Sequence, residues 1–276
     1  MNIVQELMAA FSYGFMWRAL FVGVSVAISS SFIGPYLVLK RFSMIGHGLS
    51  HVAFAGIAVG LLFRTAPLIF SMVIVVSVSV FILKLNETAK LHGDAAIGLT
   101  AAVAMAFGTV LASVAGGFNV DLFSFLFGSI LTIQRIDVYL SITFSIVVIA
   151  VVTTLYHDLF SMTFEEDFAK VSGINTKRLN TILAVLVGVT VVIGIRAMGT
   201  LLISSLIIFP TIIAMQFTKG FKTTIVIAAV SSVFIVIFGL MGSYLLDWPS
   251  GSTIVLLNGV VFLGVYLYNR ILRPQG

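Results

Sequence analysis

Apolar runs of 18 or more residues recur from one end of this 276-residue chain to the other, and that recurrence leaves little choice of fold. About 20 apolar residues is the length at which a helix crosses the hydrocarbon of a bilayer with its backbone N–H and C=O groups bonded inside the segment. A soluble helical protein needs polar faces between its apolar stripes, and these runs have almost none. Strands of a membrane β-barrel would instead alternate over about 10 residues. Only 9% of the residues are charged, against about 25% in soluble domains. The chain reads as an all-α polytopic membrane protein, one transmembrane domain over 1–276 in contact with membrane lipid.

Spans are predicted at about 17–39, 46–63, 66–84, 95–115, 138–156, 181–195, 199–217, 223–245 and 252–269, which makes nine. Eight is the alternative, if "IRAMG" (195–199) breaks one helix rather than joining two. Basic residues mark the cytoplasmic side. Lys40, Arg41, Lys84, Lys90, Lys170, Lys177, Arg178, Lys219, Lys222, Arg270 and Arg273 fall in one set of connectors, and Arg18, Arg64, Arg135 and Arg196 in the other, 11 against 4 of the 15. That split places the N-terminus outside and the C-terminus in the cytoplasm. The formal charge of +5 is thus a matter of topology, with no basic stripe for a nucleic acid to follow.

Several chemistries are excluded. The chain has no cysteine, so neither disulfides nor thiolate metal sites are available. "MNIVQELMAAFSYGFMWRAL" lacks a basic n-region and a small-residue cleavage site, so no removable signal peptide is expected. No Lys follows a Gly, which removes the G-K-[ST] phosphate loop, and there is no H-E-x-x-H. No Asp or Glu lies near a span centre, which argues against a carboxylate proton relay. Uphill transport would need energy from another subunit.

Two connectors exceed simple turns. From Ala112 to Asp137 the chain is too apolar for an exposed loop, and "DLFSFLFGSIL" reads as a half-helix capped by Asp121 after the Gly116–Gly117 pair. From His157 to Asn180, Thr163 and Glu166 have the spacing of a capping box, and Gly173 suits the C′ position. A short helix over 163–173 is predicted, with Glu165, Glu166 and Asp167 at its N-terminus and Phe164, Phe168 and Val171 on its apolar side. An interfacial helix is usually Lys- and Arg-rich, so three leading acids argue for a protein partner instead.

Ionisable residues within spans carry function, and here they are few: Arg18, His47 and His51. Arg18 is close enough to a span end to snorkel. His47 and His51 stand at i and i+4 in "MIGHGLSH", so their imidazoles share one helix face and can converge on one ion. The bland alternative is a pair of neutral, hydrogen-bonded histidines between helices. Imidazole suits zinc and other late first-row divalent ions. Two ligands are half of a closed tetrahedral site, and a two-fold dimer would supply four. His92 and His157 fall in connectors and are expected to be solvated.

Six stretches in order give the sequence a familiar outline: "LKRFSMIGHGLSHVAFAGIAVG" (39–60), "GDAAIGL" (93–99), "VDLFSFLFGSIL" (120–131), "FEEDFAKVSGIN" (164–175), "GTLLISSLIIFPTIIA" (199–214) and "WPSGSTIVLLNG" (248–259). The chain resembles the membrane permease subunit of bacterial ABC importers for zinc, manganese or iron. That resemblance implies a plasma-membrane homodimer with its path on the two-fold axis, and a fold similar to the vitamin B12-type (type II) importer permease. It implies no catalysis by this chain and no permanent cofactor. ATP would be hydrolysed by a cytoplasmic ATPase dimer docked on a coupling helix, here about 163–173 with Glu165, Glu166, Asp167, Phe168, Ala169 and Gly173. An extracellular or periplasmic metal-binding protein would deliver the ion. Members commonly carry Asp where this chain has His47. Exchanging a hard carboxylate for imidazole shifts the expected cargo from manganese toward zinc. Manganese or iron transport within the same family is the alternative; an ATPase-independent channel or carrier, or an organic-cofactor importer, is more remote.

Overall fold

The computed structural model describes residues 10–63, 67–89, 93–114, 128 and 130–272. Its helices are α1 (Gly14–Leu39), α2 (Ile45–Leu62), α3 (Pro67–Ala89), α4 (Gly93–Val114), α5 (Arg135–Thr154), α6 (Tyr156–Phe164), α7 (Glu166–Val171), α8 (Thr176–Met198), α9 (Thr200–Met215), α10 (Phe221–Leu246) and α11 (Ser250–Leu272), with a 3-10 turn at Ile130–Thr132. The chain is an all-α polytopic membrane protein.

Among the described residues, eight helices are long and apolar enough to cross a membrane: α1 to α5, α8, α10 and α11. The ninth predicted span is α9, apolar but only 16 residues long. At about 1.5 Å per residue it reaches about 24 Å, short of a hydrocarbon core of about 30 Å. The expected nine spans are therefore corrected to eight long helices and one short one. The break before α9 is Gly199, at φ 85° and ψ 170°, a conformation open essentially to glycine alone. It makes α8 and α9 separate helices rather than one interrupted span.

Two compact units are defined by their internal packing. The first comprises 1–35, 123–149 and 193–276. Within it Ser31 Oγ on α1 meets Ser232 Oγ on α10 at 2.8 Å, and Ser232 Oγ donates to the Ala27 carbonyl at 3.3 Å. Gly34 lets α1 approach α9, since a Cβ there would lie 2.6 Å from the Ile207 carbonyl oxygen. α9, α10 and α11 pack on one another. Asp137, buried at the start of α5, accepts from the Gln134 amide at 2.9 Å and pairs with Arg196 at 2.9 Å. Small residues and interhelical hydroxyl bonds are the means by which membrane helices associate where lipid offers no hydrophobic drive.

The second unit comprises 36–122 and 150–192. There α2 packs on both α3 and α4. At Gly56 a Cβ would come within 2.7 Å of the Ser71 Cα on α3, and at Gly108 of α4 within 2.8 Å of the Phe54 ring on α2. α8 approaches α3 through Ser79 Oγ, which donates to the Ala184 carbonyl at 2.9 Å.

The segment predicted as one helix over 163–173 is divided. Thr163 is not an N-cap; it lies in the last turn of α6 and donates its hydroxyl to the Leu159 carbonyl at 2.7 Å. Leu159 and Met162 are buried, so the preceding run is anchored as helix and Thr163 is drawn into it. The chain breaks at Glu165 (φ −141°, ψ 81°), and α7 starts at Glu166 without a side-chain cap bond. Gly173 does stand at C′, at φ 85°: its amide bonds Lys170 O at 3.1 Å and that of Ile174 bonds Ala169 O at 3.0 Å, the two bonds of a Schellman motif. The half-helix predicted from Asp121 lies outside the described residues apart from Gly128 and the 3-10 turn; Gly116, Gly117 and His92 lie outside them as well.

Candidate metal site and coupling segment

α2 begins without a side-chain cap at Met44, and its first two turns carry the histidine pair. Ile45, Gly46, Gly48, Leu49 and Ser50 are buried, which turns His47 outward and leaves His51 half-buried one turn along the same face. The Ser50 hydroxyl, next to His51, donates to the Gly46 carbonyl of its own helix at 2.8 Å. Gly48 is required where α2 meets α4, because a Cβ there would collide with the Ile97 side chain.

The two rings stand nearly perpendicular, at 87°, with centroids 4.8 Å apart. Their Nε2 atoms are 3.3 Å apart, one donating and the other accepting. Two nitrogens about 2.0–2.1 Å from a tetrahedral ion are also separated by about 3.3–3.4 Å. The separation of the two nitrogens thus already suits one ion, which the rings would meet by turning about 35° off the line between them. Among the described residues no group of three or more His, Cys, Asp or Glu could hold a metal ion, so the pair has no third ligand of that kind within those residues.

The other polar candidates are accounted for separately. His157 sits in α6, edge-on to Tyr156 with centroids 5.4 Å apart. Asn258 on α11 is fully buried and donates to Ile254 O of its own helix at 3.2 Å, with its Oδ1 unpartnered. Arg18, near the start of α1, is half-buried, with its Nε enclosed and without a hydrogen-bond partner.

α7 presents two unlike faces. Ala169 is fully buried, whereas Phe168 and Val171, with Phe164 at the end of α6, are exposed. Asp167 is almost wholly in solvent, and Lys170 lies 3.2 Å from Glu166 Oε1. The hydrogen bond that the Lys170 ammonium donates to the Glu166 carboxylate holds that ammonium above the usual lysine range. A second lysine, Lys40 at the end of α1, reaches Glu166 Oε2 at 3.3 Å and Asn180 Oδ1 at 2.8 Å. That contact was invisible in the sequence, because its partners lie 126 and 140 residues away.

A bundle of membrane-length helices with no catalytic constellation among its described residues, a polar pair on an otherwise apolar helix and a short acidic helix with an exposed apolar face together describe a transport subunit. The chain matches the ABC 3 transport family (ABC-3) over residues 12–269 and belongs to it; its role is transport rather than catalysis. It is 28% identical over 256 residues to the manganese transport system membrane protein MntC of Listeria monocytogenes, covering 93% of this chain and 91% of the relative. The manganese import system permease protein ScaB of Streptococcus gordonii is 27% identical over 262 residues (95% and 94%). The high-affinity zinc uptake system membrane protein ZnuB of Haemophilus influenzae is 27% identical over 249 residues (90% and 95%). Among solved structures, PsaBC from Streptococcus pneumoniae in complex with Fab contains a chain of the same fold, with a TM-score of 0.83 at 24% identity, covering 97% of this chain and 99% of that one.

Proposed function

We propose that this protein is the membrane subunit of an ATP-driven importer of a divalent transition metal, with manganese as its cargo. Two copies pair about the path, a cytoplasmic ATPase docks on α6–α7 of each, and a metal-binding protein delivers the ion from outside. The N-terminus lies outside, the C-terminus inside, and the bundle is a variant of the type II permease. His47 and His51 form a transient station that the ion occupies and leaves.

The observation that carries this reading is the Nε2 pair, 3.3 Å apart at the head of α2, with no third His, Cys, Asp or Glu among the described residues to lock an ion in place. Each chain supplies half of a tetrahedral shell, so the ion is fully held only while two copies face each other and is released when they part. Manganese rather than the zinc expected from the sequence is supported by the names of MntC and ScaB. Zinc is the second reading, favoured by ZnuB and by the all-imidazole donor set.

The deciding experiment is uptake of radiolabelled manganese against radiolabelled zinc by vesicles holding the permease with its ATPase. ATP-dependent manganese uptake is expected, and it should vanish when His47 and His51 are both replaced by Ala. Uptake of zinc alone would select the second reading. Normal uptake by the double variant would remove the histidines from the path.

A further inference from the structure

Lys40 stands at the end of α1 with its side chain only 10% exposed. Its ammonium bridges Glu166 on α7 and Asn180 on α8, and Asn180 is itself buried. Glu166 is therefore held by two lysines of different kinds. Lys170, half exposed and one turn away in the same helix, makes the weak sort of surface pair that secures nothing beyond its own helix. Lys40 joins α7 to the turn that leads into α2.

That turn has little slack. Arg41 is left-handed at φ 60°, a conformation side chains other than glycine seldom adopt. The Arg41 amide bonds Val38 O at 3.2 Å and the Phe42 amide bonds Leu37 O at 2.8 Å, closing α1 with a Schellman motif. Phe42 is buried, and the Ile45 amide bonds its carbonyl at 3.1 Å. α4 closes over the turn at Gly93, where a Cβ would lie 2.8 Å from Arg41 O and 2.9 Å from the Phe42 ring. Six residues separate Lys40 from His47, all within this braced turn and the first turn of α2.

We propose that Lys40 is the positioning residue that couples α7 to the histidine pair. The inference rests on reading α6–α7 as the ATPase-docking segment and His47–His51 as the metal station. A nearly buried ammonium cannot separate from its carboxylate without leaving a poorly solvated, unpaired charge. A displacement of α7 therefore carries Lys40 with it, and the rigid turn hands that displacement to the head of α2. Asn180 gives the ammonium a second anchor on α8, so the whole junction moves as a unit.

The test uses the permease–ATPase complex in vesicles, measuring ATP hydrolysis and metal uptake together. K40M and K40E should keep the ATPase bound and hydrolyse ATP, while metal carried per ATP falls about tenfold. K40R, which preserves the charge, should stay within about twofold of wild type. The reversed pair K40E/E166K should recover at least several-fold over K40E. Full transport stoichiometry in K40M, or a reversed pair no better than K40E, overturns the coupling role. Loss of the ATPase from K40M and K40E alike makes Lys40 structural and overturns it as well. A wild-type complex that hydrolyses ATP but carries neither manganese nor zinc would instead remove the importer reading beneath it.

Discussion

At the residue scale the consequential choice is the imidazole at position 47. Both proposed ligands are neutral nitrogen donors, whereas an aspartate there would add a hard oxygen and a negative charge. Oxygen ligands favour manganese, and nitrogen ligands favour zinc. His47→Asp should therefore raise the ratio of manganese to zinc uptake by about tenfold, a shift of about 1.4 kcal/mol between the two ions. His47→Asn, which lacks the charge, should not. The ratio is read from competitive uptake with both labelled ions present; if Asp leaves it unchanged, His47 is no ligand. This pair was legible in the sequence because i and i+4 share a helix face whatever surrounds them. What sequence could not supply was the convergence of both Nε2 atoms or the loss of the Ser50 hydroxyl to the Gly46 carbonyl.

At the scale of elements the informative case is the division of 156–171 into α6 and α7. The T-x-x-E pattern at Thr163–Glu166 satisfies the capping-box rule, yet burial of Leu159 and Met162 extends the preceding helix past it. Local pattern lost to packing. Gly173 kept its expected place because the left-handed C′ position depends only on the last turn. In the proposed docking surface the exposed Phe168 and Val171 are the groups with the most apolar area to gain from a partner. Burying such a side chain is worth about 1.5–3 kcal/mol. Phe168→Ala should weaken capture of the ATPase by at least about tenfold, and Val171→Ala by less. Titrating the purified permease with its ATPase measures both. Unchanged affinity in the Phe168 variant would move the docking surface elsewhere. α9 makes the same point about length: hydropathy identified it, but only the glycine at 199, with its positive φ, sets where it begins.

At the scale of the whole molecule, the question is how half a site can serve a path. Within the described residues the histidine pair has no third ligand of the His, Cys, Asp or Glu type, and a tetrahedral ion takes four donors. If two copies face each other across the path, four imidazoles converge on one ion, and the assembled permease binds one metal per two chains. A single chain completing its shell with water would instead bind one metal per chain, more weakly. Metal content of the purified protein after dialysis against zinc, which holds imidazole more tightly than manganese does, separates the two. The expected value is about 0.5 ion per chain, following from two donors per chain and four per ion. Mixed assemblies sharpen the result. In a pair where one copy carries His47→Ala and His51→Ala, two donors remain, and retention should fall to nearly that of the fully substituted pair. If mixed pairs hold half the metal of wild type, each chain binds independently and the shared site is wrong.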